Sequence, residues 1–203
     1  MSPKTRVQLI RDLQDQGSID RDASVSRTGS AVWDNGVMEY RFTLLRAGDD
    51  TVEWRLAVDD KELGHLLNKF GRFAVGVHPV RSNRFEWPSA IDLLEPLASE
   101  VCSGLEQVKD RKDLCCAFMS EADVNGDETF IWLPRASYPS RLVKSLILAR
   151  ELTDSTLVAA VASRIEALPM SRDNAGKPEP GRDVVVRYAR SYAKELGFEV
   201  EVP

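Results

Sequence analysis

Residues 37–58 read VMEYRFTLLRAGDDTVEWRLAV, and this stretch decides the fold. Apolar and polar side chains alternate along residues 38–44 and again along residues 52–58, with the turn sequence AGDD between them at 47–50. Alternation with a period of two brings the apolar side chains to one face of a strand. Two such runs joined by a turn predict an antiparallel hairpin with one buried apolar face and one solvated face of Glu and Arg.

The segment before the hairpin predicts a helix, a loop and a strand. Ser2 is a good N-cap and Pro3 is favoured at the first helical position, so a helix is expected to begin there and to stop at Gly17. Residues 18–30 are rich in Ser, Arg and Asp and are expected to form a loop. A short strand over residues 31–33 then leads into Asp-Asn-Gly, a turn sequence suited to positive φ.

The segment after the hairpin predicts a helix followed by a strand. Asp59, with Glu62 three residues later, resembles a capping box and predicts the start of the helix. Gly71 is expected to end it. Residues 73–77 then predict a further strand, closed by the His-Pro pair at residues 78–79.

The remainder of the chain is predicted to be mostly helical. A long helix is expected to begin at Ser89, and Pro96 inside it should kink it or divide it in two. Two apolar runs joined by polar residues indicate a second hairpin, and two helices separated by a cap at Asp154 or Thr153 follow it. The second hairpin is placed at 114–119 and 129–133, the helical pair at 139–151 and 154–168, and a last helix and strand at 184–196 and 198–202.

These elements predict an α+β fold. We expect a mixed, largely antiparallel sheet with packed helices, in the order α-β-β-β-α-β-α-β-β-α-α-α-β. One main domain is expected over residues 1–168. Residues 169–182, rich in Pro, Gly and charged side chains, are interpreted as a linker or long loop. Residues 183–203 are then a C-terminal helix and strand that pack back on the main domain.

The composition is that of an ordinary globular protein. The 203 residues carry a formal net charge of −5, which argues weakly against general nucleic-acid binding. Three cysteines, two of them adjacent, do not form a disulfide framework and indicate a reducing compartment. The polar N-terminus lacks the apolar region of a secretory signal, and no stretch approaches the ~20 apolar residues that span a bilayer. A cytoplasmic protein without membrane contact is therefore expected.

The opening order of elements, α-β-β-β-α-β, is similar in topology to the restriction-endonuclease-like nuclease core and to the fold of acidic secretion chaperones. Topology does not decide function, so the site residues must. The nuclease interpretation needs carboxylates on neighbouring strands for Mg²⁺, and a lysine two residues after the second. Its candidates are Glu39, Glu53 and Arg55, where arginine replaces the lysine and serves poorly as a base. A turn near Gly48 is expected to pair Glu39 with Ala57, roughly 13 Å along the strand from Glu53.

No metal site and no cofactor are predicted. Residues 123–128 resemble the start of an EF-hand calcium loop, but Glu128 replaces the required glycine and Pro134 replaces the bidentate glutamate. His65 and His78 are not expected to share a zinc ion with the cysteines at 115–116, because adjacent residues of a strand face opposite ways.

Two stretches, residues 63–85 and 129–150, carry basic residues and no acidic ones, and we call them the basic segments. Aromatic residues lie in or beside them, a composition that suits contact with an acidic protein or stacking on bases. We expect a non-catalytic binding or accessory protein, adaptor- or chaperone-like, with a protein partner favoured over nucleic acid. The alternative is a degenerate, metal-dependent nuclease of the restriction-endonuclease-like type. The predicted partner-binding residues are Arg72, Arg81, Arg84, Trp87, Arg135 and Arg141.

Overall fold

A five-stranded antiparallel sheet is built around the predicted hairpin. The computed structural model describes residues 2–46, 51–68, 78–86, 93–120, 138–174, 177–179 and 181–196. Within these residues the strands follow the order β1-β2-β3-β4-β5, and every neighbouring pair is antiparallel. Helices accompany the sheet, so the α+β class is confirmed. The five strands are β1 Ser24–Val25, β2 Ser30–Asp34, β3 Met38–Arg46, β4 Thr51–Asp60 and β5 His78–Glu86.

The remaining elements are seven helices and a second, two-stranded sheet within the described residues. None of the helices in this part of the chain is long and apolar enough to cross a membrane. The helices are α1 Pro3–Asp15, α2 Lys61–Asn68, α3 Leu94–Gln107, α4 Arg111–Met119, α5 Tyr138–Glu151, α6 Ser155–Glu166 and α7 Arg182–Leu196. The second sheet pairs β6 Arg172–Asn174 with β7 Lys177–Glu179.

The chain divides into two compact units, and the boundary crosses α2 between Gly64 and His65. The first unit holds α1, the five-stranded sheet, the start of α2, and α3. The second unit holds the end of α2, α4 to α7 and the small hairpin.

The apolar face of β3 and β4 forms the core of the first unit. The register pairs Tyr40 with Val58 and Leu44 with Trp54, as an antiparallel hairpin requires. Burial of apolar surface is the dominant favourable term in folding, at about 25 cal/mol per Å². The apolar side chains at the alternating positions are all buried: Met38, Tyr40, Phe42, Leu44, Val52, Trp54, Leu56 and Val58.

Two helices complete the first unit. Ser2 caps α1 by accepting a hydrogen bond from the Thr5 amide at 3.2 Å, as predicted. Helix α1 packs against β1, β2 and α3. The Tyr40 hydroxyl donates to the carbonyl of Val108, just beyond α3, at 3.0 Å. The predicted helix start at Ser89 lies outside the described residues; in α3, Pro96 lies in the first turn, where its missing N–H has no intrahelical acceptor.

The turn between β2 and β3 shows why glycine is needed at residue 36. Gly36 has a φ of +96°, a conformation that is costly for residues with a Cβ. The Asp34 carboxylate accepts a hydrogen bond from the Gly36 amide at 2.9 Å and stabilises the turn. The predicted Asp-Asn-Gly turn is therefore confirmed.

Three local predictions around this sheet are wrong. Residues 18–30 are not all loop, because β1 and the first residue of β2 lie in them. The cap of α2 is Asp60 rather than Asp59: β4 continues through Asp60, whose carboxylate accepts a hydrogen bond from the Leu63 amide at 2.9 Å. The segment after residue 78 is a strand, β5, where no strand is predicted. The strand predicted over residues 73–77 and the helix stop at residue 71 lie outside the described residues.

Helix α5 is the centre of the second unit. Helices α4, α6 and α7 all pack against it. Nine consecutive residues, 141–149, are buried, so α5 has no solvated face along this stretch. A helix buried on every side is characteristic of the inside of a helical cluster.

The prediction of a strand over residues 114–119 is wrong, since this run forms α4. Asp110 caps the helix by accepting a hydrogen bond from the Asp113 amide at 2.8 Å. Leu114, Cys115 and Phe118 are its buried residues, a spacing that suits one side of a helix. Short apolar runs do not distinguish a strand from a buried helix by periodicity alone. The other half of the predicted hairpin, 129–133, lies outside the described residues.

The predicted helical pair in this unit is confirmed as α5 and α6, with Asp154 as the cap. The Asp154 carboxylate accepts hydrogen bonds from the amides of Thr156 and Leu157, at 3.1 and 3.0 Å. Its second oxygen accepts from Lys112 Nζ at 3.2 Å. The hydrogen bond from Leu157 is the main reason why the pKa of Asp154 is lowered, and the Lys112 bond adds to it.

Asp154→Ala is expected to lower Tm by a few degrees, whereas Asp154→Asn should lower it much less. Asparagine keeps the cap and loses only an exposed ion pair, which contributes little. Because the folded pKa is depressed, the charge-dependent stabilisation is present above the unfolded pKa and is lost as pH falls through the folded value. Thermal melts at several pH values measure this, with exposed Glu151→Gln as the matched control. Equal losses in the Asn and Ala variants would show that the ion pair, rather than the cap, stabilises α6.

Ser171, Gly181 and Asp183 are joined by hydrogen bonds that we call the Ser171–Asp183 clasp. The Asp183 carboxylate accepts hydrogen bonds from the Ser171 amide at 2.9 Å and from its hydroxyl at 2.6 Å. The same hydroxyl oxygen accepts from the Gly181 amide at 2.8 Å. Hydrogen bonding from the Ser171 side chain is the main cause of the lowered pKa of Asp183. The clasp joins the start of β6 to the start of α7.

Candidate functional site

The six predicted partner-binding residues fall into three groups. Residues 72, 87 and 135 lie outside the described residues. Arg81 and Arg84 lie on β5, which the structure defines by its backbone and register. Arg141 lies on α5 in the second unit. The described structure therefore brings together only Arg81 and Arg84.

Strand β5 lies at the end of the sheet, and among the described strands it pairs with β4 alone. Its register is regular over residues 81–86 and shifts between Leu56 and Ala57 of β4. Position 81 pairs with Leu56 and position 84 pairs with Glu53. Because faces alternate with every residue, positions 81 and 84 belong to opposite faces of the sheet. The two arginines are thus neighbours on one edge but do not share one face.

Arg141 is not an exposed contact residue in this structure. It is 1% exposed, and its Nη1 donates to the Ser120 carbonyl at 3.0 Å. Lys144, one turn further along α5, is 5% exposed. Both positions are enclosed because α5 is surrounded by other helices, a fact of packing that the local sequence does not reveal.

The register separates the two carboxylates of the nuclease interpretation further than expected. Glu39 pairs with Asp59 instead of Ala57, and Glu53 pairs with Leu45. The two positions are therefore about 20 Å apart along the strand, at ~3.3 Å per residue. A shared Mg²⁺ needs ligand oxygens within about 2.1 Å of the ion.

Both glutamates contact an arginine two residues along their own strand. Glu39 accepts from Arg41 at 3.1 Å, and Glu53 Oε1 lies 2.6 Å from Nη2 of Arg55. The Arg55 side chain is 55% exposed and that of Glu53 is 13% exposed, so the pair lies on the solvated face. Along the described ranges, no group of three or more His, Cys, Asp or Glu side chains is placed to hold a metal ion.

The three cysteines are free thiols. Cys115 is buried on α4, with its sulfur 3.1 Å from the Ser145 hydroxyl. Burial raises the pKa of its thiol to about 11, so it stays protonated at neutral pH and is a poor nucleophile. Cys116 and Cys102 are exposed. The side chains of Cys115 and Cys116 point in different directions, as predicted, although both residues lie on a helix and not on a strand.

One polar depression lies on the exposed side of α1, which the sequence reasoning missed. Its volume is about 630 Å³, and it is open to solvent. The side chain of Gln14 is already hydrogen-bonded there, because its amide nitrogen donates to the carbonyls of Asp20, Arg21 and Ala23. The spacing of residues 8, 11 and 15 on one side of a helix could have indicated a shared polar face. The lining residues are Gln8, Arg11, Gln14, Asp15 and Arg21.

The side chains that line the depression do not form a group of catalytic residues. Arg11 and Arg21 would attract an anion, but Asp15 lines the same surface and opposes it.

No family model matches this sequence, and neither the curated proteins nor the solved structures contain a match to it. The candidate site is therefore judged on its geometry alone.

Proposed function

We propose that this chain is a non-catalytic binding or accessory protein of the cytoplasm, adaptor- or chaperone-like, that contacts an acidic partner through a surface including β5. The observation that carries the proposal is the position of β5 at the end of the described sheet. This strand contains Arg81 and Arg84, and its one acidic residue is Glu86 at its end. An edge strand with positive charge suits an acidic partner.

A protein partner is favoured over nucleic acid because of the overall charge. Nucleic-acid binding depends on neutralising many phosphates, and a chain with a net charge of −5 is repelled by a polyanion at long range. A protein partner needs only a local patch of acidic residues. On β5, position 84 lies on the solvated face with Glu53, whereas position 81 lies on the face of buried Leu56.

The test is binding of a short, fluorescently labelled peptide with a few glutamates to the full chain, followed by fluorescence anisotropy at low salt. Arg84→Glu is expected to weaken binding by about tenfold, which corresponds to about 1.4 kcal/mol. The matched control is Arg190→Glu, which reverses the charge of an exposed arginine on α7 and should leave the affinity within about twofold. A single-stranded oligonucleotide of equal charge should bind more weakly than the acidic peptide.

Three results would contradict the proposal. Equal losses in the Arg84 and Arg190 variants would show that binding follows net charge and not the β5 surface. Tighter binding of the oligonucleotide would make the partner a nucleic acid. Plasmid cleavage that requires Mg²⁺ and is lost in Glu53→Ala would favour the nuclease alternative.

A further inference from the structure

We propose that Asn35 is a site of self-modification, at which the main-chain amide of Gly36 attacks the side-chain amide of Asn35 and the Asp34 carboxylate accepts the proton. The product is an aspartate or an isoaspartate at position 35. This inference is independent of the proposed function, because it concerns the turn between β2 and β3 and not β5.

The attacking nitrogen lies in an open part of the structure. Residues 34–37 are all exposed. In the described structure, no atom lies within 4 Å of the position that a Cβ on Gly36 would occupy. The nitrogen of Gly36 therefore has neither a side chain of its own nor a close neighbour on that side, and water reaches the turn.

A proton acceptor already contacts the attacking group. The Gly36 amide donates to Asp34 Oδ1 at 2.9 Å, which is within the distance at which a general base takes a proton. The second oxygen of the carboxylate accepts from Lys61 Nζ at 2.9 Å. This hydrogen bond is the main reason why the pKa of Asp34 is lowered. Asp34 is therefore ionised at neutral pH, and its Oδ1 is free of a proton.

Two main-chain donors hold the oxygen of the amide that is attacked. Asn35 Oδ1 accepts from the Val37 amide at 3.2 Å and from the Met38 amide at 2.9 Å. Donors in this position stabilise the negative charge that develops on a carbonyl oxygen when a nucleophile adds to its carbon. Met38 is 1% exposed and pairs with Asp60 of β4, so the fold fixes the nearer donor in place.

The reaction needs no reagent other than water. The Gly36 nitrogen forms a bond to Asn35 Cγ while its proton passes to Asp34, and the electron pair of the carbonyl moves to Oδ1. When this pair returns, the bond from Cγ to the side-chain nitrogen breaks. Ammonia leaves with the proton that Asp34 held, and a cyclic imide remains. Water then opens the imide at either carbonyl, which gives aspartate or isoaspartate.

Both products change the turn. Either one places a second carboxylate beside Asp34, and like charges this close repel each other. Isoaspartate also adds a methylene group to the main chain, in a turn where the Asn35 amide donates to the Met38 carbonyl at 3.1 Å. The reaction is irreversible, so the modified fraction of the protein grows with its age.

The test is peptide mapping by mass spectrometry after the full chain has been incubated in neutral buffer at physiological temperature. The sequence contains a second Asn-Gly pair, Asn125-Gly126, which follows a valine and serves as the internal reference. Asp34→Asn keeps an acceptor for the Gly36 amide and removes the base. It is expected to slow conversion at Asn35 by about tenfold, less than a base supplies in an enclosed active site, because the turn is exposed. Conversion at Asn125 should not change.

Lys61→Gln is the matched control. It removes the ion pair but leaves Asp34 in place, and it relieves the lowering of the Asp34 pKa. Conversion at Asn35 in this variant should therefore be at least as fast as in the unchanged chain. In urea, where the turn is unfolded, the effect of Asp34→Asn should disappear.

Four results would overturn the proposal. Unchanged or faster conversion in Asp34→Asn would show that the carboxylate only restrains the turn. Equal slowing in Lys61→Gln would assign the effect to the ion pair and not to the base. An effect of Asp34→Asn that persists in urea would show that the folded geometry has no part in it. Conversion at Asn125 with none at Asn35 would show that the fold protects Asn35.

Discussion

Trp54→Ala is expected to lower the free energy of unfolding by about 3–5 kcal/mol. Trp54 is 0% exposed at the centre of β4, and its ring lies 6.1 Å from that of Phe42. Truncation removes the largest fully buried side chain of the described core and leaves a cavity that the neighbouring strands can fill only in part. Chemical denaturation followed by circular dichroism measures the loss.

Trp54→Phe keeps an aromatic ring and removes the indole nitrogen, so it tests the contribution of the nitrogen to stability. Among the described residues, none pairs with the buried indole nitrogen of Trp54, so removal of this donor offsets part of the free energy lost with the smaller ring. A loss below about 2 kcal/mol is expected for this variant. The matched control is Trp33→Ala, since Trp33 is only half-buried and stacks on Tyr40 at 5.7 Å. A cost for Trp33→Ala equal to that of Trp54→Ala would contradict the assignment of Trp54 to the centre of the core.

Gly181→Ala is expected to destabilise the second unit by about 1–3 kcal/mol or more, through steric overlap. A Cβ at this position would lie 2.5 Å from the Ser171 nitrogen and 2.6 Å from the Met170 carbonyl carbon. The Pro169 carbonyl oxygen would also overlap with it. These are backbone atoms, so the overlap is relieved only if the Ser171–Asp183 clasp opens.

Limited proteolysis with trypsin, read by mass spectrometry, measures this opening. Gly181→Ala should increase cleavage after the exposed Arg172, and its Tm should fall. Gly36→Ala is a useful comparison, because it introduces strain from a φ of +96° with no atom within 4 Å of the new Cβ. That variant should lose about 1–2 kcal/mol without new cleavage after Arg172. Unchanged proteolysis in Gly181→Ala would show that the clasp does not restrain this segment.

The parts of the fold that were predicted correctly depend on local patterns. The β3–β4 hairpin follows from alternation in residues 38–44 and 52–58, and Ser2 and Asp154 cap helices as expected. Strand β5 was missed because Pro79 and two arginines interrupt alternation, although proline and charge are themselves typical of edge strands. Helix α4 was missed because a short apolar run fits either kind of element.

The sequence by itself determined the α+β class and the paired strands of the first unit, because alternation and capping act between residues close in the chain. Only the tertiary structure decided which basic residues are buried and which of the described strands ends the sheet. Arg141 is enclosed because three helices pack around α5, and positions 81 and 84 fall on opposite faces because of their register with β4. Burial and register depend on neighbours distant in sequence, and no local pattern specifies those neighbours.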